Sequence, residues 1–111
     1  MKIDTNAIID YVKTVAKPDQ QLILFGRSFG AATAIYGAIN NPGMFDKIIL
    51  EGAFTSFKDC VAHIAPCKLG YLFACACKAQ WRTIDIISQV KEPILFVSGD
   101  GDKIVPCWMS R

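Results

Sequence analysis

Apolar side chains fall at Ile8, Ile9, Val12, Val15 and Ala16, with Asp10, Lys13, Thr14 and Lys17 opposite. That recurrence predicts an amphipathic helix, with Asp4 or Thr5 placed to cap it and Lys17-Pro18-Asp19 ending it. The next apolar run, QLILF, is short, continuous and bounded by turn residues, which suits a strand buried on both faces. After Ser28 the spacing is helical again. Ala31, Ala32, Ala34, Ile35, Ala38 and Ile39 cover most of a helix circumference until Asn40-Asn41-Pro42-Gly43 stops it, so this helix is expected to be buried.

DKIILEGAF reads as a second strand, and strand, helix and strand in so short a span predict a right-handed parallel βαβ unit with its strands side by side. Ser56, with Asp59 three positions on, starts a further helical pattern that places Phe57, Cys60, Val61 and Ile64 on one face and ends at Pro66. Leu69, Leu72, Phe73 and Ala76 predict a second short helix, TIDIISQV one or two helical turns before Lys91-Glu92-Pro93, and ILFVSG a third buried strand. The stretch from Ala53 to about Gln80 is too long for a simple crossover. The fold class is therefore α/β.

Length adds a bound: 111 residues make one small domain. Apolar residues are 52% and charged ones 20%, the balance of a globular chain, and a net charge of +2 with interspersed signs forms no basic stripe for a nucleic acid. Five cysteines, an odd number, and an N-terminus without a secretory pattern favour a reducing compartment. The expected location is the cytoplasm or the cytoplasmic side of a membrane. Leu22 to Ile39 is hydropathic enough to resemble a span, but Arg27 near its centre and three glycines argue against one, and LGYLFACAC is too short to cross a bilayer.

The candidate chemistry starts at Gly26-Arg27-Ser28-Phe29-Gly30, a Gly-x-Ser-x-Gly pattern at a strand-to-helix junction. A turn that sharp strains the serine backbone, and side chains two before and two after are expected to collide, hence Gly26 and Gly30. Ser28 is then lifted clear at a helix N-terminus, where the Phe29 N–H is the first donor for a developing oxyanion. The segment has neither Gly-Lys-Ser/Thr nor Gly-x-Gly-x-x-Gly, which excludes a phosphate-cradling loop. Arg27 reads as a solvated or salt-bridged neighbour. A serine nucleophile needs a base and an acid to orient the base, and SGDGDKIVP offers Asp100 and Asp102 after the third strand.

With LILFGRSFGAATAIYGA, DKIILEGAFTSF and the stretch from Trp81 through ISQVKEPILFVSGDGDKIVP, the chain resembles the α/β-hydrolase superfamily, in its serine-aminopeptidase-like and Bem46-like branch. The resemblance implies that Asp102 is the acid, because Gly99, Asp102, Val105 and Pro106 match the family's Gly-x-x-Asp-x-x-Val/Ile-Pro loop. It also implies a three-layer partial α/β-hydrolase fold over residues 1–111, with the strands as fifth to seventh of the family sheet, flanking helices, and 53–80 as a cap-like insertion. The family's base is a histidine after the eighth strand, yet none of the nine residues after Asp102 is His. His63, the single histidine, lies on the cap and precedes the acid, against the family order of serine, acid, histidine.

The expected function is a serine hydrolase-type domain for esters, thioesters or amides, incomplete for want of the histidine; the alternative is an inactive fragment or pseudo-hydrolase. A small non-enzymatic binding module has no positive feature. No cofactor and no metal are expected, since the spacing of His63, Cys67, Cys75 and Cys77 fits no common zinc pattern and the cysteines serve better as small apolar residues. Lipidation of Cys75 or Cys77, beside Phe73 and Lys78, is a weaker reading. Expected partners are a small acyl or peptide-like substrate once the site is completed, with no nucleic acid, peripheral membrane association allowed, and self-association through open sheet edges.

Overall fold

A computed structural model describes residues 2–64, 72 and 82–110. The elements are α1 (Lys2–Val15), β1 (Ile23–Arg27), α2 (Phe29–Asn40), β2 (Lys47–Glu51), α3 (Phe57–Ile64), α4 (Thr83–Ile86) and β3 (Ile94–Val97). Short 3-10 turns occupy Ile87–Gln89 and Cys107–Ser110. The strands form one parallel sheet in the order β1-β2-β3, in a register that aligns Gly26, Leu50 and Phe96 in one row and Phe25, Ile49 and Leu95 in the next. The expected pairing of the first two strands is present.

The first helix starts earlier than the sequence pattern suggests. Asp4 and Thr5 lie inside the first turns of α1 rather than at its cap. The buried stripe is Thr5 and Ile9, continued by half-buried Val12 and Ala16, whereas Ile8 and Val15 turn outward. Their spacing of four, three and four residues is the true inner face, and Ile8 and Val15 fall beside it.

Because α2 is built from small residues, it approaches the sheet closely. Ala31, Ala34, Ile35 and Ala38 pack with Ile48 and Leu50, both fully buried, and with half-buried Leu24 and Ile94. The opposite face of the sheet behaves differently. Strand side chains alternate, and Ile23, Phe25, Leu95 and Val97 are between 43% and 58% exposed. The first and third strands are therefore not buried on both faces, because no described residue covers the side away from α2. Of the three layers implied by the resemblance, the described residues supply the sheet and one helical layer.

A second apolar cluster, Ala32, Phe54, Val105 and Met109, joins the N-terminal part of α2 to the segments that follow β2 and β3, with Phe57 and Cys60 packed on it. The excursion after β2 departs and returns at one place. Ser56 bridges to Arg82, and the Thr83 hydroxyl donates to the carbonyls of Phe54 and Thr55. At the start of α3 the Asp59 N–H donates to Ser56 Oγ at 3.0 Å, and the Ser56 and Thr55 hydroxyls donate to Asp59 Oδ2 at 2.6 and 2.8 Å. That is the helix start expected from Ser56 and Asp59. The expected stop at Pro66 and nearly all of the short helix through Leu69, Phe73 and Ala76 lie outside the described residues.

Candidate active site

Ser28 stands between the end of β1 and the start of α2 with φ 52° and ψ −120°, the one described non-glycine residue at positive φ. A β-carbon is crowded in that region, so the turn is strained and must be held by its surroundings. Two hydrogen bonds hold it. The Ser28 N–H donates to the Glu51 carbonyl at 2.8 Å, extending the pairing with β2, and the Ala31 N–H donates to the Ser28 carbonyl at 2.9 Å. The Ser28 side chain is exposed and does not cap α2. Its hydroxyl is left to face outward.

The two flanking glycines are not equivalent. A β-carbon on Gly26 would come within 2.6 Å of the Gly30 carbonyl oxygen and 2.8 Å of both Ala31 Cα and Ala34 Cβ. On Gly30 it would meet nothing within 4 Å, so the expectation that both positions must be glycine holds for Gly26 and fails for Gly30. The reason is directional: Gly26 points into α2, and Gly30 points away from the strand. Phe29 is the first residue of α2, so its N–H is among those with no intrahelical acceptor. Its ring packs on Phe54 and Phe57, each at 5.4 Å between centroids, which fixes the residue that carries that N–H.

Asp102 follows β3 in a tight loop whose Asp102 N–H donates to the Gly99 carbonyl at 3.1 Å. Its Oδ1 accepts the N–H groups of Ile104 at 2.8 Å and Val105 at 2.9 Å. These two bonds, Val105 first, hold its carboxyl below the ordinary 3.8, and the positive charge of Arg27 adds to them. Oδ2 points toward Gly52, lying 3.9 Å from where a β-carbon there would be. Asp100, by contrast, is an exposed turn residue.

Ser28 and Asp102 line one cleft of about 190 Å³, together with Arg27, Glu51, Gly52 and Val105. Arg27 is salt-bridged within it, Nε to Glu51 Oε1 at 3.3 Å. Glu51 and Gly52 were not singled out in the sequence; the signal was in the register, since Glu51 ends β2 opposite Arg27 at the end of β1. Cys60 is a further addition. Its thiol donates to the Ile104 carbonyl at 3.7 Å, tying α3 to the Asp102 loop, and is pushed upward in pKa by burial and then by the Asp102 charge. His63 does not line the cleft; its ring meets the edge of Trp108 at 6.4 Å. Cys67, Cys75 and Cys77 lie outside the described residues.

Asp59 and Asp102 both have folded-state pKa values below 3.8, Asp59 chiefly through the Ser56 hydroxyl. A depressed carboxyl contributes stability that is present above its unfolded value and lost as pH falls through the folded one. Urea midpoints are therefore expected to hold from about pH 7 to about pH 5 and to fall below about pH 4. The fall should be shallower in Asp59→Asn and Asp102→Asn; an unchanged slope in both would remove these groups from the account.

No family model and no solved structure matches the chain. Curated relatives do. It is 32% identical, over 93% of its length and 37% of the relative, to the alpha/beta hydrolase domain-containing protein WAV2 of Arabidopsis thaliana. It is also 32% identical to protein bem46 of Schizosaccharomyces pombe, over 96% of its own length and 36% of the relative. An uncharacterized membrane protein of Saccharomyces cerevisiae matches at 32% identity across 100% of the chain and 39% of the relative. The chain thus spans a little over a third of the length of these relatives. Among the described residues no helix is long and apolar enough to cross a membrane.

Proposed function

The chain belongs to the Bem46-like branch of the α/β-hydrolase family, and from that premise we propose that it carries the nucleophile and the acid of a serine hydrolase acting on esters, thioesters or amides. Ser28 Oγ attacks the carbonyl carbon, and its proton passes to a histidine imidazole that Asp102 orients through Oδ2. The Phe29 N–H receives the oxyanion as the carbonyl becomes tetrahedral. Collapse expels the alcohol, thiol or amine, which takes the proton back from the histidine, and water then releases the acid. The observation that carries this reading is Ser28 at positive φ with an uncapped hydroxyl, in the same cleft as Asp102.

The histidine is the member of this set that the described cleft does not supply. His63 packs on Trp108 instead, and this favours a second reading, in which the turn and the acid of a hydrolase are kept without its turnover. Loss of the base removes several orders of magnitude of rate. The apolar surface next to Ser28, from Phe29 and Phe57 of the cap-like segment, suits an acyl group.

A fluorophosphonate probe separates the two readings. Labelling that disappears in Ser28→Ala is the result expected of a competent nucleophile. Absence of labelling in the folded wild-type chain would support the inactive reading and set aside the first.

A further inference from the structure

Thr83 stands at the start of α4, where a threonine hydroxyl ordinarily serves the free N–H groups of its own helix. This one does not. The cap position is Arg82, and the Thr83 hydroxyl reaches back across the fold to the carbonyls of Phe54 and Thr55, 29 and 28 residues earlier in the chain. Thr83 is 6% exposed and Phe54 3%, so these bonds are made out of water, where a carbonyl left without a donor is costly.

The segment held in this way belongs to neither strand nor helix. Residues 53–55 follow Gly52, at φ 56°, and precede α3, so their carbonyls must find partners outside any ladder. Ala53 accepts the Ser110 hydroxyl at 3.0 Å, Phe54 and Thr55 accept the Thr83 hydroxyl, the latter at 3.0 Å, and Thr55 also accepts the Ile84 N–H at 3.1 Å. Phe54 in turn bears on Phe29, its ring meeting the Phe29 ring edge-on at 5.4 Å and 64°. The Phe29 N–H lies in a planar peptide whose direction follows from Ser28 ψ, −120°, and Phe29 φ. The hydrogen bonds of Ser28 restrain the first angle, and the ring contacts of Phe29 restrain the second.

We propose that Thr83 is a positioning residue for the Phe29 N–H: its hydroxyl holds Phe54, and Phe54 holds the ring of Phe29. This rests on the reading of Ser28 as a nucleophile and of the Phe29 N–H as its oxyanion donor. Such a donor must be aimed at the place where the oxyanion forms, and a small displacement loses much of its effect. Thr83 touches no reacting atom and acts through Phe54 alone. It is also where the chain returns from its excursion after β2, beside the bridge of Arg82 to Ser56. The returning leg of that excursion therefore bears on Phe29 as the outgoing leg does through Phe57.

Thr83→Val keeps the shape of the side chain and removes its hydroxyl, whereas Thr83→Ser keeps the hydroxyl. Nuclear Overhauser contacts between the Phe29 and Phe54 rings are expected to fall by about half or more in Thr83→Val and to persist in Thr83→Ser. The rate of fluorophosphonate labelling is expected to fall about tenfold in the first and under about twofold in the second. A residue that only stabilised the fold would behave like Val12→Ala, which trims a half-buried side chain on α1 and, compared at equal distance from its urea midpoint, should change neither readout. If Thr83→Val does not fold, Thr83→Cys, with its weaker donor, must move both readouts in the same direction by less. The proposal is overturned by ring contacts that survive in Thr83→Val, by labelling of that variant at the wild-type rate, or by equal losses in Val12→Ala. A folded wild-type chain that takes no label sets aside the nucleophile reading instead, and the ring contacts alone then decide whether Thr83 fixes Phe29.

Discussion

Gly26→Ala is expected to destabilise the chain by on the order of 3 kcal/mol or more, against a small domain's total of about 5 to 15 kcal/mol. The added carbon meets backbone atoms of Gly30 and Ala31 and the methyl carbon of Ala34, all within 2.8 Å. None of these is the far end of a flexible side chain. Relief would require α2 to lift from β1, and α2 is the helix that covers Ile48 and Leu50. The same substitution at Gly30 meets open space and replaces a poor helix former with a good one, so it should be neutral or stabilising by up to about 1 kcal/mol. Urea unfolding of the two variants measures the contrast directly. Equal losses at both positions would mean that the turn is held by something other than the approach of α2.

That contrast also marks how far the sequence reaches. Gly-x-Ser-x-Gly between an apolar run and an alanine-rich helix was enough to place Ser28 on a strained turn, because the local pattern and the turn chemistry point the same way. The direction in which each glycine looks is a tertiary fact, and nothing in the motif separates Gly26 from Gly30. The loop after β3 was legible only in part, since SGDGDKIVP offered both Asp100 and Asp102 and the resemblance alone separated them. Asp102 bonds the N–H groups of Ile104 and Val105, two and three residues ahead, a local arrangement typical of Asp in turns.

What the sequence misjudged was burial. QLILF and ILFV are the continuous apolar runs of strands covered on both faces, yet Phe25 and Leu95 are exposed. Composition records the environment a strand is suited to, and the second covering layer must come from elsewhere. The start of α1 was missed because Asp4 and Thr5 suit a helix's first turn as well as its cap. The cleft partners Glu51 and Gly52 needed the register, which a single sequence leaves open.

Leu50→Ala tests this one-sided core, with an expected loss of about 3 to 5 kcal/mol. Leu50 is completely buried, sits in register between Gly26 and Phe96, and packs in the cluster of Ile35, Ala34 and Ile48 beneath α2. The substitution removes three carbons at the row that supports the Ser28 turn, and the alanines around it are too short to fill the space. With one face of the sheet covered by the described residues, surplus stability is small, so most of the variant should be unfolded without denaturant. Phe25→Ala, one row away on the open face, removes a larger side chain from water rather than from the core. It should cost under about 1 kcal/mol. If Phe25→Ala proved as damaging as Leu50→Ala, the face of the sheet away from α2 would be buried in the folded chain.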